Sequence, residues 1–219
     1  MSRKALIVYG GWDGHFPGPC AEVCRRFLAE DGFDVEMSQT LDAFLDRDKL
    51  MSLSLILPIW TMGKISREQA EGVMSAVQEG VGLAGSHGGM CDAFRENTEW
   101  QFMTGGQFVG HPGNDGTKHT VHITAKDHPI TRGVADFEVA TEMYYMHVDP
   151  ANQVLATCHF PVTDGPHVPN GAVDMPVVWT RRWGKGRVFY NSLGHKPEVL
   201  EMPPVMTMMR RGCAGVAKQ

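Results

Sequence analysis

Between Lys4 and Ser86 four short apolar runs alternate with segments of helical periodicity, and this constrains the fold more than any other feature. The runs are Lys4–Tyr9, Phe33–Met37, Leu53–Trp60 and Gly82–Ser86. "KALIVY" is apolar on both faces, as a strand covered by helices on each side must be. After the first run, Cys20, Cys24, Phe27 and Leu28 recur at helical spacing, and Gly32 sits where a helix stops. Ser66–Gly80 is the clearest helix. Ser66 and Gln69 form a capping-box pattern, and Ala70, Val73, Met74 and Val77 make its apolar stripe. Strand, helix, strand at such spacings predicts an α/β chain with a parallel sheet. Ligands of such sheets bind at the carboxyl ends of the strands. The loops carrying His15, Trp60 and His87 are therefore expected to share one rim.

The second half reads differently. Lys118–Thr124 alternates, and Asp136–His147, Val154–His159, Val177–Arg182 and Arg187–Asn191 are further strand candidates. "RRWGKGR" is a turn between the last two, with Gly184 and Gly186 supplying permissive backbone. A helix is expected over Pro197–Arg211. There is no internal repeat, low-complexity tract or linker, so residues 1–219 are expected to form one domain.

Composition narrows the function classes. A net charge of −5 with scattered arginine pairs argues against a nucleic-acid footprint. No apolar stretch approaches membrane-spanning length. Five cysteines without an export signal fit a reduced, cytoplasmic protein. The ten histidines stand out, and their positions matter more than their number.

"GLAGSHGG" (Gly82–Gly89) is a strand turning sharply into a helix. Hydrolases place a serine or cysteine at the tip of such an elbow; here the tip is His87. No G-x-S-x-G exists, Ser86 is one position off, and Cys91 lies beyond. The free N–H groups of the following helix would favour an anion there. A capping or packing role explains His87 equally well on pattern alone. His111 stands between glycine and proline in "VGHPG". "TEMYYMHVDP" packs Glu142, Tyr144, Tyr145, His147 and Asp149 into one stretch. In a continuous strand Glu142 and Tyr144 would face one way, and Tyr145, His147 and Asp149 the other. A glutamate amid apolar residues tends to be paired or functional. His195 follows a buried strand and the residues Asn191 and Ser192, where a catalytic base is often placed; the plainer reading pairs it with Glu198. "GWDGHFPG" adds Trp12, Asp13 and His15. It holds no dinucleotide fingerprint, and no nucleotide cofactor is expected.

Together, "GWDGHFPG", "GSHGGMCDAFRENTEWQFMTGGQFVGHPG", "HPITRGVADFEVATEMYY" and "MPVVWTRRWGKGRVFYNSLGH" resemble the ThuA-like family, named for trehalose utilisation, over nearly the whole chain. The resemblance implies a flavodoxin-like fold of the class I glutamine amidotransferase kind. That fold is a three-layer α/β sandwich with a mainly parallel central sheet, here with a β-rich elaboration in the second half. In those relatives the elbow carries a nucleophilic cysteine, and a His and Glu follow a later strand. Here His87 replaces the cysteine, and His195 and Glu198 are spaced one residue wider than the usual His-Pro-Glu. No glutaminyl thioester can form, so glutamine hydrolysis is not expected.

The resemblance implies sugar or disaccharide catabolism, with a 3-keto-disaccharide as a fitting substrate. The expected site gathers His15, His87, His111, Glu142 and His195. The histidines His15, His87, His111 and His195 suit a divalent metal such as Zn or Mn. His87, His195 and Glu142 are the expected catalytic groups, through proton abstraction followed by elimination, hydrolysis or isomerisation. Trp12, Asp13, Tyr144 and Asn191 are the expected substrate contacts; Trp60 could also stack on a sugar, though ordinary packing accounts for it better. Two alternatives stand beside this: a metal-free His87–His195 acid/base pair, and a non-catalytic sugar-binding or regulatory protein. The expected partner is a small sugar, without nucleic acid or membrane, and self-association is left open.

Overall fold

The computed structural model describes residues 3–161 and 165–218. Its strands are β1 (Arg3–Gly11), β2 (Phe33–Ser38), β3 (Leu55–Thr61), β4 (Gly82–Ser86), β5 (Gly106–Gly110), β6 (Lys118–Ile123), β7 (Phe137–Ala140), β8 (Tyr145–Val148), β9 (Gln153–Phe160), β10 (Val173–Trp183) and β11 (Gly186–Asn191). Its α-helices are α1 (Pro17–Glu30), α2 (Arg47–Ser52), α3 (Arg67–Gln78), α4 (Gly88–Cys91), α5 (Thr98–Thr104), α6 (Pro197–Glu201) and α7 (Pro203–Val216).

Nine strands form one sheet in the order β2-β1-β3-β4-β11-β10-β9-β6-β7. The first five run parallel, and the remaining four are added antiparallel. The parallel strands are the apolar runs, because both of their faces are covered. Ala5, Leu6, Ile7 and Val8 are all buried, as is every residue of β4. Helices α1, α6 and α7 pack on one face, and α2, α3 and α5 on the other. Phe189 of β11 abuts Gly212 of α7, so a side chain on Gly212 would collide with the ring. The capping box of α3 forms as expected, with Ser66 and Gln69 bonding each other's backbone. The β10–β11 hairpin turns on Gly184 (φ 58°) and Lys185.

Two elements differ from the sequence reading. The expected strand Asp136–His147 is two strands in two sheets: β7 closes the large sheet, while β8 pairs with β5 in a separate two-stranded sheet. The chain leaves β-structure at Thr141–Tyr144, and the strict alternation expected of Glu142 and Tyr144 does not apply there. The expected helix Pro197–Arg211 breaks at Met202. Pro203 disfavours helical backbone in the residue before it, and neither Pro203 nor Pro204 can donate a backbone hydrogen bond. A new helix restarts with Pro203 as its first residue.

The chain runs from β1 out to β2, then returns across β1 to β3. This reversal of direction is the switch point at which a crevice opens beyond the strand ends. His15 follows β1, Thr61 ends β3, His87 follows β4 and His195 follows β11, so all four sit at that carboxyl edge.

Candidate functional site

Each site residue is placed by a turn its sequence requires. After β1, a single 3-10 turn over Asp13–His15 brings the His15 ring back over the sheet edge, with Phe16 in the left-handed region (φ 48°). At the end of β4, His87 takes φ 52° and ψ −135°, a conformation that non-glycine residues rarely adopt. Its backbone N–H donates to Asn191 O (2.7 Å), and the Tyr190 hydroxyl donates to its carbonyl (2.7 Å). The elbow is thus clamped to β11. The expected helix beyond it is the single turn α4, too short to focus a helix dipole on an anion. Gly88 is required by contact: a Cβ there would lie 2.6 Å from both His15 Nδ1 and Thr61 Oγ1.

Four of the expected residues converge. The ligand atoms of His15, His87, Glu142 and His195 all lie within 4.8 Å of one another. Glu142 Oε2 is the hub: His87 Nε2 is 3.1 Å away, His195 Nδ1 3.4 Å and His15 Nε2 3.6 Å. The rings meet edge to face or tilted, with His15 and His87 centroids 4.6 Å apart and His15 and His195 5.0 Å apart. All four residues are buried, their exposures between 5% and 8% except His87 at 2%.

The hydrogen bonds set the tautomers. His87 Nδ1 lies 2.8 Å from the Ser192 carbonyl, which only accepts, so Nδ1 donates. Burial pushes the His87 pKa down to about 4, assisted by His15 and opposed by Glu142, so its ring is neutral near pH 7. In that form Nε2 directs a lone pair at Glu142 Oε2, which is also an acceptor. Burial works to raise the Glu142 pKa, but the three imidazoles His15, His195 and His87 set against it outweigh burial and hold the carboxyl well below the usual range. His195 Nδ1 is buried and makes no hydrogen bond, although it faces the same carboxylate. His15 Nδ1 is occupied by Thr61 Oγ1 (2.9 Å), leaving Nε2 on the Glu142 side. Three imidazole nitrogens and a carboxylate oxygen thus meet in one space, a donor set that fits a divalent cation. Ligand atoms of a tetrahedral zinc site lie about 3.4 Å apart, so the cluster needs small side-chain adjustments to close on an ion.

The other expected residues stand around this centre. His111 is at its rim, 35% exposed in its side chain, with Nε2 3.8 Å from Glu142 Oε1 and its ring against Phe108 (5.5 Å). It lies outside the group of four. Trp12 is exposed and meets His15 edge-on at 4.8 Å, and Asp13 is exposed beside it. Tyr144 is buried, stacked on His87 at 4.0 Å, with its hydroxyl unpartnered. Asn191 is fully buried, and its Oδ1 accepts from Leu193 N–H, which shapes the turn bearing Ser192 and His195. Trp60 packs over Gly10. Cys91 is buried and its thiol is pushed up by that burial, consistent with no thiolate chemistry at the elbow. The alternative pairing of His195 with Glu198 is not found: its carboxylate neighbours are Glu142 and, at 4.0 Å from Nε2, Asp115.

Sequence reasoning missed Thr61, the Ser192 carbonyl and Asp115. Asp115 is bonded to Lys196 and stands at the mouth between His195 and solvent. Thr61 is one residue past the apolar run, and its place at the strand's carboxyl end was the available signal.

Comparison with known proteins agrees with this architecture. Among solved structures, a ThuA-like protein from Parabacteroides merdae superposes with a TM-score of 0.77 at 18% identity, covering 99% of this chain and 90% of that one. A ThuA-like protein from Bacteroides uniformis gives 0.74 at 19% identity, covering 96% and 89%. A cytoplasmic protein from Salmonella typhimurium gives 0.71 at 14% identity, covering 98% and 100%. At such identities the likeness establishes the fold. No match to a curated protein was found. The ThuA family, described as trehalose utilisation, matches residues 4–214, and the chain belongs to that family.

Proposed function

We propose that this protein is a carbohydrate-catabolic enzyme acting on a sugar or 3-keto-disaccharide, with His15, His87, Glu142 and His195 holding a divalent metal such as Zn or Mn. The observation that carries the reading is the meeting of neutral His87 Nε2, unpartnered His195 Nδ1 and His15 Nε2 on one oxygen of Glu142. Family membership supports the substrate class. When bound, a metal of this kind supplies Lewis acidity to a sugar carbonyl and lowers the cost of charge developing on its oxygen.

The chain's own residues account for the rest. Thr61 and the Ser192 carbonyl fix the His15 and His87 rings by bonding the ring nitrogens that face away from the centre. His111, at the rim and beside Glu142 Oε1, is placed to accept the proton next to the carbonyl. Trp12 offers an exposed ring face to the sugar, and Asp13 an acceptor for its hydroxyls. Asp115 and Lys196 border the entrance on the His195 side. The five buried free cysteines fit a reducing, cytoplasmic setting.

One observation favours a second reading, a sugar-binding or regulatory protein: the four clustered residues are buried, while exposed Trp12 and half-buried His111 stand at the rim. A sugar therefore has to approach from the Trp12 and His111 side. The experiment is metal analysis of protein made without a histidine tag, followed by assay of a 3-keto-disaccharide before and after chelation. Near-stoichiometric metal, lost in Glu142→Gln and His195→Ala, with turnover restored by Zn or Mn, is expected. Turnover that survives chelation favours a metal-free His87–His195 pair. Tight sugar binding without turnover favours the binding protein.

A further inference from the structure

At the opposite end of β11 from the histidine cluster lies a cavity of about 630 Å3, within the usual range for small-molecule sites. We infer that it is a second binding site, for a small phosphomonoester. Its walls come from the β10–β11 hairpin, the adjoining end of β9, the His128–Ile130 loop and the end of α7. Arg182 of β10 and Arg187 of β11 are direct cross-strand partners, so their side chains leave the sheet on the same face. Thr180 and Gln153 form the next such pair on that face. Arg211 of α7 completes the basic side.

Two like charges opposite each other on a hairpin destabilise it. A carboxylate nearby would relieve them. Yet no carboxylate of the described residues lies within 4.0 Å of Arg182, Arg187 or Arg211, whereas Arg181, on the other face, is paired with Asp149 at 3.0 Å. Backbone carbonyls orient two of the three without cancelling their charge. Arg187 donates to Ala217 O (2.7 Å), and Arg211 to Arg132 O (2.6 Å) and Ile130 O (3.3 Å). His128 Nδ1 accepts the Ile130 N–H, which leaves Nε2 as a donor. Three guanidiniums without a carboxylate partner among the described residues, two of them held by carbonyls, in a chain of net charge −5, match the planar donor geometry that phosphate oxygens accept. The paired Thr180 and Gln153 side chains supply hydroxyl and amide groups for an adjoining hydroxylated portion of the ligand. The concave shape and overall negative charge favour a small anion over a polymer.

The test is calorimetric titration with inorganic phosphate, glycerol 3-phosphate and glycerol at low salt. Glycerol 3-phosphate is expected to bind with a dissociation constant of about 1 mM or tighter, more tightly than phosphate, and glycerol not at all. Binding should weaken as salt is raised. Arg182→Gln, at an exposed position, and Arg211→Gln should each weaken it about tenfold. Glu142→Gln should leave it unchanged, which separates this site from the histidine cluster. Absence of saturable phosphate binding by the folded wild-type protein overturns the inference. So does binding that both arginine substitutions leave intact while circular dichroism shows them folded.

Discussion

At His87 an unusual backbone conformation (φ 52°, ψ −135°) and a near-complete burial coincide with a ring neutral at pH 7. The folded protein protonates this ring only near pH 4, mainly because burial disfavours the charge. The unfolded chain protonates it near 6.5. Between those values the unfolded state holds more protons, so stability is complete above pH 6.5 and drains away as pH falls toward 4. A gap of that size corresponds to at most about 3 kcal/mol. Urea unfolding in chelator at pH 7, 6, 5 and 4.5 should therefore show falling stability, with a shallower slope in His87→Gln. Equal slopes in the two proteins would remove His87 as the cause. The sequence made His87, His111 and His195 visible as candidates because glycine and strand ends surround them. It did not point to the Thr61 hydroxyl or the Ser192 carbonyl as ring partners, since such groups carry no pattern until a ring lies against them.

At the scale of elements, the parallel strands and the capped helix α3 were legible because hydrophobic period and capping chemistry are local. The division of Asp136–His147 was not. "ATEMYY" has no glycine or proline, and its threonine and two tyrosines favour a strand. The chain leaves the sheet there because Glu142 must reach the histidines while β8 pairs with β5, and tertiary demands override strand preference. The break before α7 was legible in principle, since Pro203 and Pro204 stand side by side. The β4–α4 elbow shows how tightly an element junction can be specified. Gly88→Ala would drive a methyl group to within 2.6 Å of His15 Nδ1 and Thr61 Oγ1, both in place to bond each other. The expected result is a displaced His15 ring and metal affinity lowered about 10–100-fold, the usual cost of losing a supporting contact, with the circular dichroism spectrum retained. Competition with a chromophoric chelator measures the affinity. Affinity equal to wild type would mean that the His15–Thr61 bond does not support the centre.

Across the whole molecule, the four converging residues come from positions 15, 87, 142 and 195, which together span most of the chain. Three follow parallel strands of the central sheet, while Glu142 is delivered from the segment between the two sheets. A metal held there ties the antiparallel extension to the parallel half, and it binds only when both are folded. Its binding energy is then folding energy. At a free concentration one hundred times its dissociation constant, a ligand of the native state adds about 2.7 kcal/mol of stability. For a chain of this size that corresponds to a rise in Tm of roughly 5–11 °C. Thermal unfolding of the tag-free protein should therefore shift down by this amount in chelator and recover when Zn or Mn is restored. Glu142→Gln should abolish the difference between the two conditions, because the hub oxygen that faces all three rings loses its charge. Identical Tm values for the wild-type protein with and without metal would show that the convergence of these side chains is satisfied by hydrogen bonds alone. The buried Glu142–histidine cluster would then be a structural polar network rather than a metal centre.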